Sequence, residues 1–150
     1  MGHSFTSSLV HCTFSTKGRR RSITMDLQER LWPFMGGIAR KNEIKALVIG
    51  GVEDHSHLLL ALPSTMAIAK AIQLIKGGSS KWVHDSMPER GDFAWQEGYG
   101  AFSIGIAQVE DTIAYIQNQA EHHRKRTFQE EFLAFLKKHE MEFDERYIWD

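Results

Sequence analysis

The chain holds a single cysteine, Cys12, so no disulfide can form within it, and this fits a reducing compartment. No apolar run approaches the ~18 residues of a membrane-spanning helix, and the N-terminal stretch lacks the apolar core of a secretory signal. A formal charge of −1 excludes a broad cationic field, so a polyanion would have to be held by local basic clusters. Two enzyme signatures are also missing. Lys76-Gly77-Gly78-Ser79-Ser80-Lys81 is rich in glycine and lysine but does not fit Gly-x-x-x-x-Gly-Lys-Ser/Thr, which removes a phosphate-loop NTPase. No Gly-x-Ser-x-Gly elbow marks a serine hydrolase.

What remains is an ordinary globular composition, 42% hydrophobic against 25% charged, long enough at 150 residues to bury one core. A single domain over 1–150 is expected, with a C-terminal helix and tail from about residue 127, in a cytoplasmic setting. Met1 to Thr6 formally fits a short myristoylation pattern, of a length that arises by accident, and no lipid anchor is expected from it.

Periodicity orders the elements. Phe5 to Thr16 alternates as a strand, with Val10, Cys12 and Phe14 on one face and Leu9, His11 and Thr13 on the other. Asp26 to Arg40 has helical spacing, with Pro33 and Gly36-Gly37 expected to kink it or end it early. Ile44 to Val52 and His55 to Leu62 read as a strand pair turning at Asp54, closed by Pro63. Ser64 or Thr65 is the expected cap of the next helix, which Gly77-Gly78 should end or bend. Phe93 to Trp95 and Ala101 to Ile104 suggest a short strand pair. Val109 to Arg124 reads as one helix, and Thr127 as the cap of a last helix over Phe128 to His139. This order favours an α+β sandwich, one antiparallel sheet with helices on one face.

Two features carry chemistry. On a strand His55 and His57 project from one face and Ser56 from the other, so the imidazoles form a ready divalent-metal clamp. The same spacing also occurs in histidines that simply satisfy a surface or a core, and a metal site needs a further ligand. On the later helix Tyr115 and Gln119 are i and i+4, with His122 nearly on that face. A glutamine carbonyl can complete a two-histidine site, and a phenol beside a cation that polarises a phosphoryl group can attack it. An amphipathic core tyrosine beside a solvated polar face accounts for the same helix.

Five segments taken in order carry a resemblance. They are Val10-His11-Cys12-Thr13-Phe14-Ser15-Thr16-Lys17; Asp54-His55-Ser56-His57-Leu58-Leu59; Trp95 to Ser103; Tyr115-Ile116-Gln117-Asn118-Gln119; and His122 to Phe132. Together the chain resembles the single-tyrosine HUH transposases, the group of small insertion-sequence single-strand transposases and REP-associated tyrosine transposases. The resemblance implies a ferredoxin-like fold whose sheet presents His55 and His57 to a divalent metal, Mg²⁺ or Mn²⁺, with Gln119 as third ligand and Tyr115 as nucleophile. It implies cleavage and rejoining of single-stranded DNA with hairpin ends through a 5′-phosphotyrosine link, by a homodimer in a bacterial cytoplasm with nucleoid-associated activity, with no membrane and no nucleotide cofactor. The family's middle position is a bulky hydrophobe where this chain has Ser56. That side chain should face away from the metal and, if buried, needs a backbone partner.

DNA would be held by Lys17, Arg19, Arg20 and Arg21 and by Arg124, Lys125 and Arg126, with Lys76 and Lys81 between the clusters. Trp82, Trp95 and Tyr99 are either base-stacking platforms or core residues. The main alternative to a mobile-element enzyme is a domesticated hairpin-binding relative with a host-repeat or regulatory role. A metalloprotein unrelated to nucleic acid is the third reading.

Overall fold

The computed structural model describes residues 2–150, so Met1, where the short lipidation match begins, lies outside them. Four strands, β1 (Leu9–Ser15), β2 (Lys45–Val52), β3 (His55–Ala61) and β4 (Gly100–Ile104), form one sheet in the order β2-β3-β1-β4. Every neighbouring pair is antiparallel. Two long helices, α1 (Met25–Lys41) and α2 (Ile68–Ser86), make the crossovers, which gives the ferredoxin-like β1-α1-β2-β3-α2-β4 order. Three shorter helices follow: α3 (Val109–Gln117), α4 (Gln119–His122) and α5 (Phe128–Lys138). No helix among the described residues is long and apolar enough to cross a membrane.

The alternation in β1 and β3 decides where everything sits. Val10, Cys12, Phe14, Leu58 and Leu60 face α1 and α2, meeting Leu27, Leu31, Met35 and Ala39 of the first helix and Ala71, Ile72, Ile75 and Val83 of the second. This is the expected helical layer on one face of the sheet. The histidine side of the sheet is covered by the C-terminal elements, where Phe102 packs with Phe128, Phe132 and Leu136. The central strand β1 is therefore buried along its whole length.

Several helix limits differ from expectation. Helix α1 runs through Pro33 and Gly36-Gly37, because its buried stripe of Leu27, Leu31, Met35 and Ala39 outweighs weak local propensity. Helix α2 starts at Ile68 rather than after Ser64 or Thr65, since a turn from Met66 N–H to Pro63 O occupies those residues first. It also runs unbroken through Gly77-Gly78. A Cβ on Gly78 would lie 2.9 Å from Ile38 Cδ1, so the glycine permits the close approach of α1 and α2.

Phe93 to Trp95 does not pair with β4. Gln96 N–H donates to Ser15 O and Lys17 N–H to Ala94 O, so this segment extends β1's edge where β4 leaves off. The expected helix over Val109 to Arg124 is broken at Asn118 (φ −100°, ψ 24°). Thr127 does cap α5, in a reciprocal box with Glu130 at 3.1 Å.

Candidate metal and tyrosine site

Glycines on β2 let the tyrosine helix approach the histidine hairpin. Gly50 pairs with His57 across the ladder, and a Cβ there would sit 3.2 Å from Ile116 of α3. Gly51 has φ +149°, and a Cβ on it would fall 2.2 Å from the His55 carbonyl oxygen. Only glycine allows this hairpin to close so tightly behind the two histidines. Ser56 points to the opposite side, as expected, and its hydroxyl donates to Gly50 O at 3.1 Å.

On the histidine face, donors from three parts of the chain converge. His55 Nε2 lies 3.0 Å from Gln119 Oε1, and His57 Nε2 lies 2.9 Å from Glu131 Oε1. His123 Nε2 is 3.0 Å from Gln119 Oε1 and 3.4 Å from Glu131 Oε1. The hydroxyl of Tyr115 donates to Glu131 Oε2. His55, His57, Gln119 and Glu131 are buried, and Tyr115 and His123 are partly so.

The structure thus brings His55, His57, Gln119 and Tyr115 together, and it adds His123 and Glu131. His122, beside them in sequence, instead lays its ring on Tyr115 at 4.4 Å between centroids. Both additions had a sequence signal. His123 continues the i, i+4 ladder from Tyr115 through Gln119. Glu131 is a carboxylate on the apolar stripe of α5 formed by Phe128, Phe132 and Phe135, where a charge needs a partner.

Behind the donors stand two further groups. Asp54 Oδ1 is 2.7 Å from His55 Nδ1, and His11 Nε2 is 2.8 Å from His57 Nδ1. Burial, the largest single influence, would raise the Asp54 carboxyl, but the bond and charge of His55 together with His123 and Arg21 hold it below its ordinary value. Burial likewise opposes ionisation of Glu131, yet hydrogen bonds from His123 and His57 hold it well below the usual carboxylate range. Burial pushes His57 down, so this ring is neutral and its contact with Glu131 is a hydrogen bond rather than an ion pair. His123 moves the other way: burial pulls it down, but the Glu131 hydrogen bond and charge raise it overall. Burial, then the Glu131 charge, pushes the Tyr115 phenol upward.

These residues fit a divalent cation. The ionised Asp54 requires the hydrogen on His55 Nδ1, so Nε2 is the nitrogen turned toward Gln119 Oε1 and the donor cluster. Gln119 is held in that orientation because its amide nitrogen donates to Tyr115 O at 3.3 Å. With the Nε2 lone pair free, it and Gln119 Oε1 face each other as acceptors at 3.0 Å, an arrangement that a cation between them satisfies. The ligand atoms of His55, His57, His123 and Glu131 lie within 4.8 Å of one another. Separations near 3 Å suit neighbouring positions around a cation with bonds of roughly 2.1 Å.

The two basic clusters meet beside this centre. A cavity of about 550 Å³ is lined by Arg19, Arg21, Arg124 and Arg126 together with Asp54 and His123. Lys17 and Arg20 line an adjoining cavity of about 730 Å³ with Trp149. Lys125 is exposed and lines neither. The aromatic residues divide. Trp95 is buried against Phe14 and donates to Ser79 Oγ, and Trp82 stacks on Phe34 in the helical layer across the sheet; Tyr99 is exposed. Lys76 is turned into the carbonyls of Gln96, Glu97 and Gly98, and Lys81 pairs with Asp85.

The family profile described as "Transposase IS200 like" matches residues 4–119. The chain belongs to the IS200-like transposase family. This is the single-tyrosine HUH group that its motifs resemble, so a transposase role follows at that level. Solved structures share its fold, and two illustrate the likeness. A putative transposase from Deinococcus radiodurans R1 is 21% identical, with a TM-score of 0.65 over 79% of this chain and 96% of that one. A REP-associated tyrosine transposase bound to a REP hairpin is 14% identical, with a TM-score of 0.61 over 82% of this chain and 72% of that one. No curated protein matches. His123 and Glu131 lie beyond the family match, so this transposase draws part of its donor cluster from its C-terminal elements.

Proposed function

We propose that this IS200-like transposase is a metal-dependent single-strand DNA transposase that cleaves and rejoins strands through a 5′-phosphotyrosine link on Tyr115. The observation that carries the reading is the convergence of the Tyr115 hydroxyl with the His55, His57, Gln119, His123 and Glu131 donors beside an arginine-lined cavity. His55, His57 and Gln119 hold the cation, with His123 and Glu131 as the additional donors. Imidazole nitrogens mixed with amide and carboxylate oxygens suit Mn²⁺ at least as well as Mg²⁺. A cation bound there polarises the scissile phosphate and favours the phenolate.

The chain's own residues do the rest. Arg19, Arg21, Arg124 and Arg126 hold backbone phosphates of a single strand running to the site, with Lys17, Arg20 and Lys125 extending that path. Tyr115 Oη forms the bond to phosphorus as the 3′-oxygen leaves, and Glu131, already accepting the phenolic hydrogen, is the base within reach. A 3′-hydroxyl of a second strand then displaces Tyr115 and restores a phosphodiester. Bond energy stays in the covalent link, so no nucleotide cofactor is needed. In this reading the protein recognises hairpin ends and works as a homodimer, one site for each end of the element.

Strand exchange between two labelled single-stranded oligonucleotides carrying the hairpin flanks tests the reading. Recombinant strands should form with Mn²⁺, and Tyr115→Phe should abolish them. Hairpin binding without cleavage or joining would favour the domesticated binder.

A further inference from the structure

His11 is the one buried histidine of the cluster that does not point at the cation position. It sits on the central strand β1, diagonally across the ladder from His57, and only 4% of its surface is exposed. The sole hydrogen-bond partner of its ring among the described residues is the rear nitrogen of His57, at 2.8 Å. Phe135 meets its ring edge-on at 5.0 Å between centroids and holds it against that nitrogen.

The two histidines differ in what stands behind them. Asp54, behind His55, only accepts, which fixes the hydrogen on His55 Nδ1 whether or not a cation is bound. His57 faces a harder demand. Without a cation, Glu131 Oε1 at 2.9 Å requires a hydrogen on His57 Nε2, and Nδ1 must then accept. With a cation, Nε2 must offer its lone pair, and Nδ1 must carry the hydrogen and donate it. A carboxylate behind His57 would serve only the second state. A neutral imidazole serves both, since one of its nitrogens can donate in one tautomer and accept in the other.

Resting on the reading that a cation binds this cluster, we propose that His11 is a positioning residue that switches tautomer with His57. In the metal-free protein His11 Nε2–H donates to His57 Nδ1. In the loaded protein His57 Nδ1–H donates to His11 Nε2, and the hydrogen of His11 resides on Nδ1. Each ring carries one hydrogen before and after, so loading needs no net proton release from the pair. Burial, reinforced by neighbouring His57, pushes His11 down to about 3 in the metal-free protein.

Two measurements on the full chain test this. The first is two-bond ¹H–¹⁵N imidazole spectroscopy of the metal-free and Mg²⁺-saturated protein. His57 should be protonated at Nε2 without metal and at Nδ1 with it, and His11 should move its hydrogen to Nδ1 in step. The second is Mn²⁺ affinity. His11→Phe should weaken binding about tenfold or more, and His11→Gln, whose amide can donate or accept, should recover most of the loss. Thermal unfolding of both variants identifies any loss due to misfolding.

Unchanged His11 spectra on loading, or a folded His11→Phe that binds Mn²⁺ as tightly as wild type, would overturn the proposal. Wild-type protein that binds neither ion would overturn the metal reading and with it the switch. The metal-free spectrum would still report whether His11 donates to His57.

Discussion

The Tyr115 hydroxyl donates to Oε2 of Glu131, while the other oxygen of the same carboxylate accepts from His57. One side chain on α5 therefore ties the tyrosine of α3 to the histidine hairpin of the sheet. The negative charge of Glu131 helps to push the phenol's ionisation up, second only to burial. Glu131→Gln should bring it down, seen as tyrosinate absorbance rising at lower pH, with Tyr115→Phe identifying the contribution of this tyrosine. An unchanged titration would mean that Glu131 does not govern Tyr115.

Asp54 holds His55 from behind at 2.7 Å. Replacing it with asparagine keeps the shape but removes the charge that fixes the imidazole hydrogen. Asp54→Asn should weaken Mn²⁺ binding by about 10- to 100-fold, measured by calorimetry, with little change in folding. Equal affinities would show that the hairpin backbone alone orients His55.

His123 provides a pH signature in the metal-free protein. Its pKa is raised because the hydrogen bond and charge of Glu131 outweigh burial, which pulls the other way. The folded chain then holds this proton more tightly than the unfolded chain. The stabilisation is complete below about pH 6.5 and is lost as pH rises through the folded-state value. The stability difference between wild type and His123→Gln, from urea unfolding, should therefore be larger at about pH 5.5 than at about pH 9. A difference independent of pH would exclude a proton shared between His123 and Glu131.

Gly51 closes the hairpin directly behind His55. An alanine Cβ would press on the His55 carbonyl oxygen at 2.2 Å, and φ +149° is itself strained for alanine. Gly51→Ala should cost about 3 kcal/mol and lower the melting temperature by roughly 6–12 °C. It should also weaken Mn²⁺ binding by displacing His55. A variant as stable as wild type would mean that the hairpin can relax without strain.

Much of the fold was legible because strand alternation leaves few choices. The parity that separates Val10, Cys12 and Phe14 from His11 and Thr13 also separates Leu58 and Leu60 from His55 and His57, and the sheet obeys it. Packing overrides local propensity at Pro33 in α1 and Gly77-Gly78 in α2, so both helices run on where local sequence predicts a break. Phe93 to Trp95 pairs with the end of β1 rather than with β4, a contact that periodicity cannot reveal.

At the site, the grouping of His55, His57, Tyr115 and Gln119 was legible from spacing and family resemblance. Glu131 was not assigned, because Glu130 beside it fills the capping box and makes both acids look like an ordinary first turn. Its long-range partners appear only once α5 lies across the sheet.

A covalent-adduct assay tests most directly whether Tyr115 is the nucleophile of a cation-dependent strand transfer. The protein would be incubated with Mn²⁺ and 5′-labelled or 3′-labelled single-stranded DNA from the flanks of its own gene, then run on a denaturing gel. A covalent adduct that retains the 3′ label, maps to Tyr115 by peptide mass spectrometry, and disappears with EDTA or Tyr115→Phe is the predicted result. An adduct on another residue, cleavage that survives Tyr115→Phe, or bound hairpin DNA that is never cut with either Mn²⁺ or Mg²⁺ would contradict it.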